Sequence, residues 1–146
     1  MQDAFFTSKQ AAEITGCTLR QLQYWREKGV VVPTISDTGT GRSVYYSRSE
    51  VMELAVMEYC LGVGLNFEVA AATVKRLKDE GLVLSSNEKT PQRFMLWWDR
   101  KMGKLELVEF DLKKAIALLE QGKAVVPVWL DAIDHHLKDN LTKHKE

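Results

Sequence analysis

Two helix starts written in the same chemical terms, eleven residues apart, constrain this chain more than any other feature. Thr7-Ser8-Lys9-Gln10 and Thr18-Leu19-Arg20-Gln21 each place a threonine three residues before a glutamine. In such a capping box the hydroxyl accepts the backbone N–H three residues on, and the glutamine reaches back to the cap. The first helix is expected from about Ser8 to Ile14, with a stop at Gly16, and the second from about Leu19 to Lys28, with a stop at Gly29. Only Thr15, Gly16, Cys17 and Thr18 lie between them. Two helices joined by a short, glycine-containing turn make a helix-turn-helix. Leu19 and Leu22 are expected to pack with Ala12 and Ile14, which leaves Arg20, Gln21, Gln23 and Tyr24 pointing outward.

A third box, Ser47-Arg48-Ser49-Glu50, opens a helix carrying Val51, Leu54, Ala55 and Tyr59 up to Gly62 and Gly64. Asn66 caps a fourth, with Phe67, Ala70, Ala71, Val74 and Leu77 at helical spacing and a stop at Gly81. Between the second and third helices, Val30-Val31-Val32-Pro33 and Val44-Tyr45-Tyr46 flank a polar stretch from Ser36 to Arg42 and read as a hairpin, or wing. Beyond a polar loop at Ser85–Pro91, the β-prone runs Arg93–Trp98 and Lys104–Phe110 predict a second hairpin. Leu112, Ala115, Ile116 and Leu119 predict a helix ending at Gly122. Val125–Val128 follows as a strand that Pro127, which has no N–H, confines to a sheet edge. Leu130, Ile133, Leu137 and Leu141 then mark a last helix with a charged, frayed tail. The expected fold class is α+β. Residues 1–80 form a winged helix-turn-helix of four helices plus a β-hairpin wing, and residues 81–146 form a small α+β region serving dimerisation.

The net charge is zero over 146 residues, which argues against a polycationic coat for nucleic acid. The basic footprint of a sequence-specific binder is local, however. Arg20, Arg26, Lys28, Arg42 and Arg48 stand against Glu27 and Asp37, a local excess of three positive charges. No apolar run approaches the roughly 18 residues needed to cross a bilayer. The stretch Met1–Phe6 lacks the basic and apolar regions of a signal peptide. Cys17 and Cys60 make no metal or redox pair in sequence, so reduced thiols in a cytoplasmic protein are expected. Cys17 lies near a helix N-terminus, which can lower a thiol pKa, but no base or partner thiol stands by, so a structural role is expected. Asp131 with His135 or His136 lacks a third ligand at metal-site spacing. No nucleotide-binding or nucleophile-elbow motif occurs. Neither catalysis, metal nor cofactor is therefore expected.

A helix-turn-helix sets its second helix in the major groove, where arginine and glutamine read base edges. Arg20, Gln21 and Gln23 suit that role, and Tyr24, Arg26, Lys28 and Arg42 suit phosphate contacts, which set register and affinity. Phe6–Ala12 and then Thr15–Trp25, continued by Gly29–Pro33 and by Tyr45-Tyr46-Ser47 with Val51, resemble the MerR family of transcription regulators over about residues 5–80. The resemblance implies a dimer on a partly palindromic promoter site. It implies that Arg20 lies near the bases, that Tyr24 touches the backbone and that Arg42 meets phosphate from the wing. Thr18 and Tyr46 complete the expected contact set. Gln23 stands where the family often has arginine, and Trp25 where it often has tyrosine, which points Trp25 towards the core. Many relatives continue into one long coiled-coil helix and an effector domain, and Gly81 with the β-prone runs beyond departs from that plan. Short members, including MerR-like repressors encoded beside CRISPR-associated transposons, are similar in this respect.

In the second half Phe94, Leu96 and Trp98 share one strand face, and Met95 and Trp97 share the other. A lone hairpin is marginal in water, so both apolar faces need cover. A second subunit is expected to supply part of it, with Phe94, Leu96, Trp98, Leu130, Ile133 and Leu137 at the dimer interface, since homo-oligomers favour two-fold surfaces. The reading is thus a double-stranded DNA-binding regulator acting as a homodimer, with repression by occupancy. A small-molecule effector is not part of it, although the sequence does not forbid one. Two alternatives stand beside it. One is an excisionase-like or architectural DNA-binding factor. The other is a protein-interaction module, favoured by Gln23 and by the zero net charge.

Overall fold

The computed structural model describes residues 4–36, 44–79 and 92–145. In chain order its elements are β1 (Phe5–Thr7), α1 (Ser8–Thr15), α2 (Leu19–Glu27), β2 (Ile35–Ser36), β3 (Val44–Ser47), α3 (Arg48–Gly62), α4 (Phe67–Asp79), β4 (Arg93–Asp99), β5 (Lys104–Glu109), α5 (Leu112–Glu120), β6 (Val125–Trp129) and α6 (Leu130–Lys145). Six helices and two small sheets make an α+β chain among the described residues. Two compact units divide it: Met1–Asn87 together with Ile133–Glu146, and Glu88–Ala132.

All three capping boxes of the first unit are formed. Thr7, Thr18 and Ser47 each accept the backbone N–H three residues on, and the side chains of Gln10, Gln21 and Glu50 return to the caps. Gly16 ends α1 in the left-handed region at φ 85°, with its N–H on the Ala12 carbonyl at 2.9 Å. That conformation costs glycine nothing and strains any residue with a Cβ. Helix α3 is buried from Val51 through Met57, so it forms the centre of the unit rather than one wall. Leu22 and Trp25 from α2, Ile14 from α1 and Val74 and Leu77 from α4 share that interior, and Trp25 is a core residue.

Two expectations are corrected here. The wing strand before the tip is Ile35–Ser36, not Val30–Pro33. Val31 and Pro33 are buried in the core instead. Just beyond, Glu50 takes hold of the backbone: its carboxylate accepts the Thr34 N–H at 2.8 Å and hydroxyl at 2.6 Å as well as the Ser47 N–H at 2.8 Å. The small sheet also gains a strand. Phe5–Thr7 pairs with β3, so the order is β1-β3-β2. Leu19 differs as well, being 54% exposed. It opens α2, and a helical side chain leans back towards the N-terminus, here past the last packed turn.

In the second unit β4 lies between antiparallel β5 and β6. Met95 packs with Ala115 and Leu118 of α5, and Trp97, Val108, Phe110 and Val125 close around them. Asp111 caps α5 by accepting the N–H groups of Lys113 and Lys114. Pro127 sits on the edge strand, where its missing N–H costs no ladder bond. Arg93 forks onto the Asp131 carboxylate and lies 4.0 Å from the Trp129 ring centroid. Helix α6 continues to Lys145, where a frayed tail was expected. No helix among the described residues is long and apolar enough to cross a membrane.

Candidate nucleic-acid interface

The outer side of α2 follows from its inner side. Leu22 and Trp25 face the core, so the 3.6-residue period turns Arg20, Gln23, Tyr24, Glu27 and Lys28 to solvent. Thr18 is exposed, but its hydroxyl caps the helix at 3.0 Å from the Gln21 N–H. The Gln21 Oε1 in turn accepts the Thr18 N–H at 2.9 Å, which leaves the Gln21 amide NH2 as its free donor group. Gln23 Nε2 donates to Glu27 Oε2 at 3.2 Å. Arg26 is half-buried. Arg20 is therefore the exposed cation nearest the helix start, the second residue of α2 and inside its first turn.

Tyr24 stands at a junction of elements. Its ring is tilted against Phe67 of α4 at 5.3 Å between centroids, and the Lys28 ammonium lies 5.5 Å from it. Beyond Lys28, a groove of about 390 Å³ is lined by Gly29, Val30, Ala71 and Ala72 and carries Lys28, Lys75 and Lys78. Asp79 pairs with Lys75 at 2.9 Å on the same wall. The cationic surface next to α2 thus extends onto α4, which the spacing of α2 alone did not reveal.

Tyr46 corrects the expected contact set: it is 1% exposed and belongs to the core. Alternation along β3 turns Tyr45 outward in its place. Burial also pushes the Tyr46 phenol pKa up, against the opposing pull of Arg26. Arg42 lies outside the described residues. Arg48, counted in the local basic excess, is matched within its own unit by Asp134 at 2.7 Å. Lys138 pairs with the same Asp134 at 3.2 Å. Leu19 is a surface residue that helix periodicity concealed, and an exposed leucine beside Arg20 suits a thymine methyl.

Of the residues expected at a dimer interface, Leu96, Leu130 and Leu137 are buried within the chain. Phe94 and Ile133 are half-buried, and Trp98 is exposed. Four titratable groups away from the cationic surface are buried or lie beside an oppositely charged group. Cys17 is buried, with Sγ donating to the Leu54 carbonyl at 3.7 Å and its pKa pushed up to about 11. Cys60 is pushed up to about 12 by burial. Asp131 is held by Arg93, which lowers its pKa, and exposed His135 lies 3.8 Å from Asp139. No group of three or more metal-binding side chains comes together among the described residues.

Residues 6–77 match the family model described as MerR HTH family regulatory protein. Through this half, the chain belongs to the MerR family. The match runs from the second residue of β1 to Leu77 of α4, so it takes in both capped helices, the wing strands and all of the groove's lining except Lys78 and Asp79. An uncharacterized HTH-type transcriptional regulator of Mycobacterium bovis is 31% identical over 78 residues, which is 53% of this chain and 35% of that protein. Two proteins of the same description from strains of Mycobacterium tuberculosis match to the same extent. The chain spans about a third of the length of these curated relatives. Within the MerR domain, the Tyr-Trp pair at 24–25 divides its labour: Tyr24 is exposed and Trp25 is core.

Proposed function

We propose that this MerR-family chain is a transcription regulator that binds double-stranded DNA. The observation that carries the reading is the exposed face of α2. A short turn and two closed capping boxes hold that helix rigidly, and its outer side presents Arg20, Gln23 and Lys28. Rigid presentation matters because base readout needs side chains aimed within hydrogen-bond reach of a groove. Arg20 reads a base edge, while Lys28, Lys75 and Lys78 meet phosphate. The protein acts as a homodimer on a partly palindromic promoter site in the cytoplasm, with half-sites separated by whole helical turns of about 10 base pairs. Repression follows from occupancy of that site.

Fluorescence anisotropy on fragments from upstream of the gene and its neighbours tests this, with scrambled DNA as control and salt titrated. Tight binding to one fragment that weakens linearly in log salt is expected. Equal, weak binding to every fragment would move the reading to an architectural factor, and no binding at low salt would end it. Repression itself is read from a reporter driven by the bound promoter.

A further inference from the structure

A carboxyl group lies behind the cationic groove. Glu53 of α3 is 8% exposed, and its Oε1 is buried without a hydrogen-bond partner. A buried acceptor without a donor is costly, and a buried charge more so. What faces it is Lys78 of α4, whose Nζ lies 3.7 Å away. That is close enough for charge attraction and too far for a hydrogen bond. The Lys78 side chain is itself 43% exposed and lines the groove with Lys28 and Lys75. One ammonium is thus shared between an acid inside the unit and any anion that enters the groove.

The neighbouring charges are engaged elsewhere. Asp79, the acid of the groove wall, pairs with Lys75 at 2.9 Å. Among the described residues the charges acting on Glu53 are Lys78 and, one turn earlier on α3, Glu50. The Glu50 carboxylate is held by the N–H groups of Thr34 and Ser47, so it stays a fixed anion beside Glu53. From α1, β1 and β3, which also pack on α3, no charged group joins them. Burial raises the Glu53 pKa, Glu50 adds to the rise, and Lys78 opposes both. Taking the ammonium away therefore favours the protonated acid.

We infer that Lys78 changes partner on DNA, leaving Glu53 for a backbone phosphate, and that Glu53 takes up a proton from solvent as it does so. This rests on the DNA-binding reading above and says how one of its phosphate contacts is governed. The lysine stem is long and its ammonium carries three rotatable donors, so side-chain rotation is enough for the exchange. A phosphate oxygen offers the short, charge-assisted hydrogen bond that Glu53 at 3.7 Å does not. Ionised, Glu53 holds the ammonium back, because a bare buried carboxylate is unfavourable. Protonated, it lets the ammonium go. DNA binding and proton uptake are therefore linked, and affinity rises as pH falls through the range in which Glu53 titrates.

Fluorescence anisotropy of wild type and Glu53→Gln between about pH 5 and about pH 8 tests the inference, on an upstream duplex and on a scrambled duplex at low salt. Both duplexes serve, because a phosphate contact is independent of sequence. Glu53→Gln is expected to bind about three- to tenfold more tightly at the alkaline end, with the two curves converging towards the acid end. The histidines titrate in the same window in both proteins, so the difference between the curves belongs to Glu53. Calorimetry in buffers of different ionisation enthalpy is expected to find more proton uptake on binding by wild type than by Glu53→Gln. Lys78→Met removes the shared ammonium, and in that background Glu53→Gln is expected to leave affinity unchanged. Circular dichroism reports that each variant is folded. Parallel pH curves for wild type and Glu53→Gln, or weaker binding by Glu53→Gln, would overturn the exchange and leave the DNA-binding reading standing. So would an equal effect of Glu53→Gln with and without Lys78. A wild type that binds neither duplex at any pH would remove both.

Discussion

Arg20 and Lys28 sit on the same helix and carry the same charge, but the physics of their contacts predicts different losses. A guanidinium on a base edge discriminates between sequences, whereas an ammonium near phosphate attracts any DNA. Arg20→Ala is expected to cost about 1–3 kcal/mol on the specific site and much less on scrambled DNA, measured by competition anisotropy. Glu53 supplies a second test at this scale. Its Oε1 is buried without a hydrogen-bond partner, and the Lys78 ammonium at 3.7 Å is in ion-pair range but beyond hydrogen bonding. Burial raises the pKa of Glu53 more than Lys78 lowers it. The folded state therefore holds this proton more tightly than the unfolded chain, and stability falls as pH climbs through the carboxylate range. Glu53→Gln is expected to raise Tm at about pH 7 and to leave it nearly unchanged at about pH 4, where the wild-type acid is already largely neutral. A lower Tm at both values would show that the Lys78 contact outweighs the burial cost.

Elements were legible in the sequence to the extent that their determinants are local. The boxes at Thr7, Thr18 and Ser47 act over three residues, so the starts of α1, α2 and α3 are written where they occur. Strand β1 is three residues long and exists because β3, about forty residues away, pairs with it. The strand at Ile35–Ser36 was hidden by the more β-prone Val30–Val32, whose Val31 the core claims. Tyr46 and Leu19 were misplaced for a related reason, since only the packed structure decides which side of a short element is the outside. The C-terminal part of α6 was the least legible, because its role is set by a long-range bond. Asn140 donates to the Ile14 carbonyl at 2.9 Å, satisfying one of the acceptors that the end of α1 leaves open. Asn140→Ala leaves that carbonyl without its partner and is expected to lower stability by about 1 kcal/mol, read from urea unfolding. Leu137→Ala, which empties a fully buried position on the same helix, is expected to cost about 2–5 kcal/mol.

For the whole molecule, a zero net charge makes the response to salt informative. With no bulk positive charge to draw DNA in, attraction comes from the few cations beside α2, and their number sets the slope of log affinity against log salt. A dimer doubles every contact. Lys28→Ala is thus expected to reduce the slope by about two on a site with two half-sites and by about one on a single half-site. Equal slopes for variant and wild type would place Lys28 away from the phosphates.

The unit that carries α2 is assembled from two stretches of chain, residues 1–87 and 133–146, with the other unit between them. On a ribosome these stretches emerge far apart in time. Helices α1 to α4 leave the exit tunnel while Asn140 and Leu137 have yet to be made, so this unit waits, incomplete, for the last of the described residues. A chain cut short by premature termination in the second half would carry every outward-facing residue of α2 and yet lack the Asn140 bond to α1 and the buried Leu137 side chain that complete the unit. If the proposed DNA binding holds, such truncated chains are expected to bind the site more weakly than the full chain.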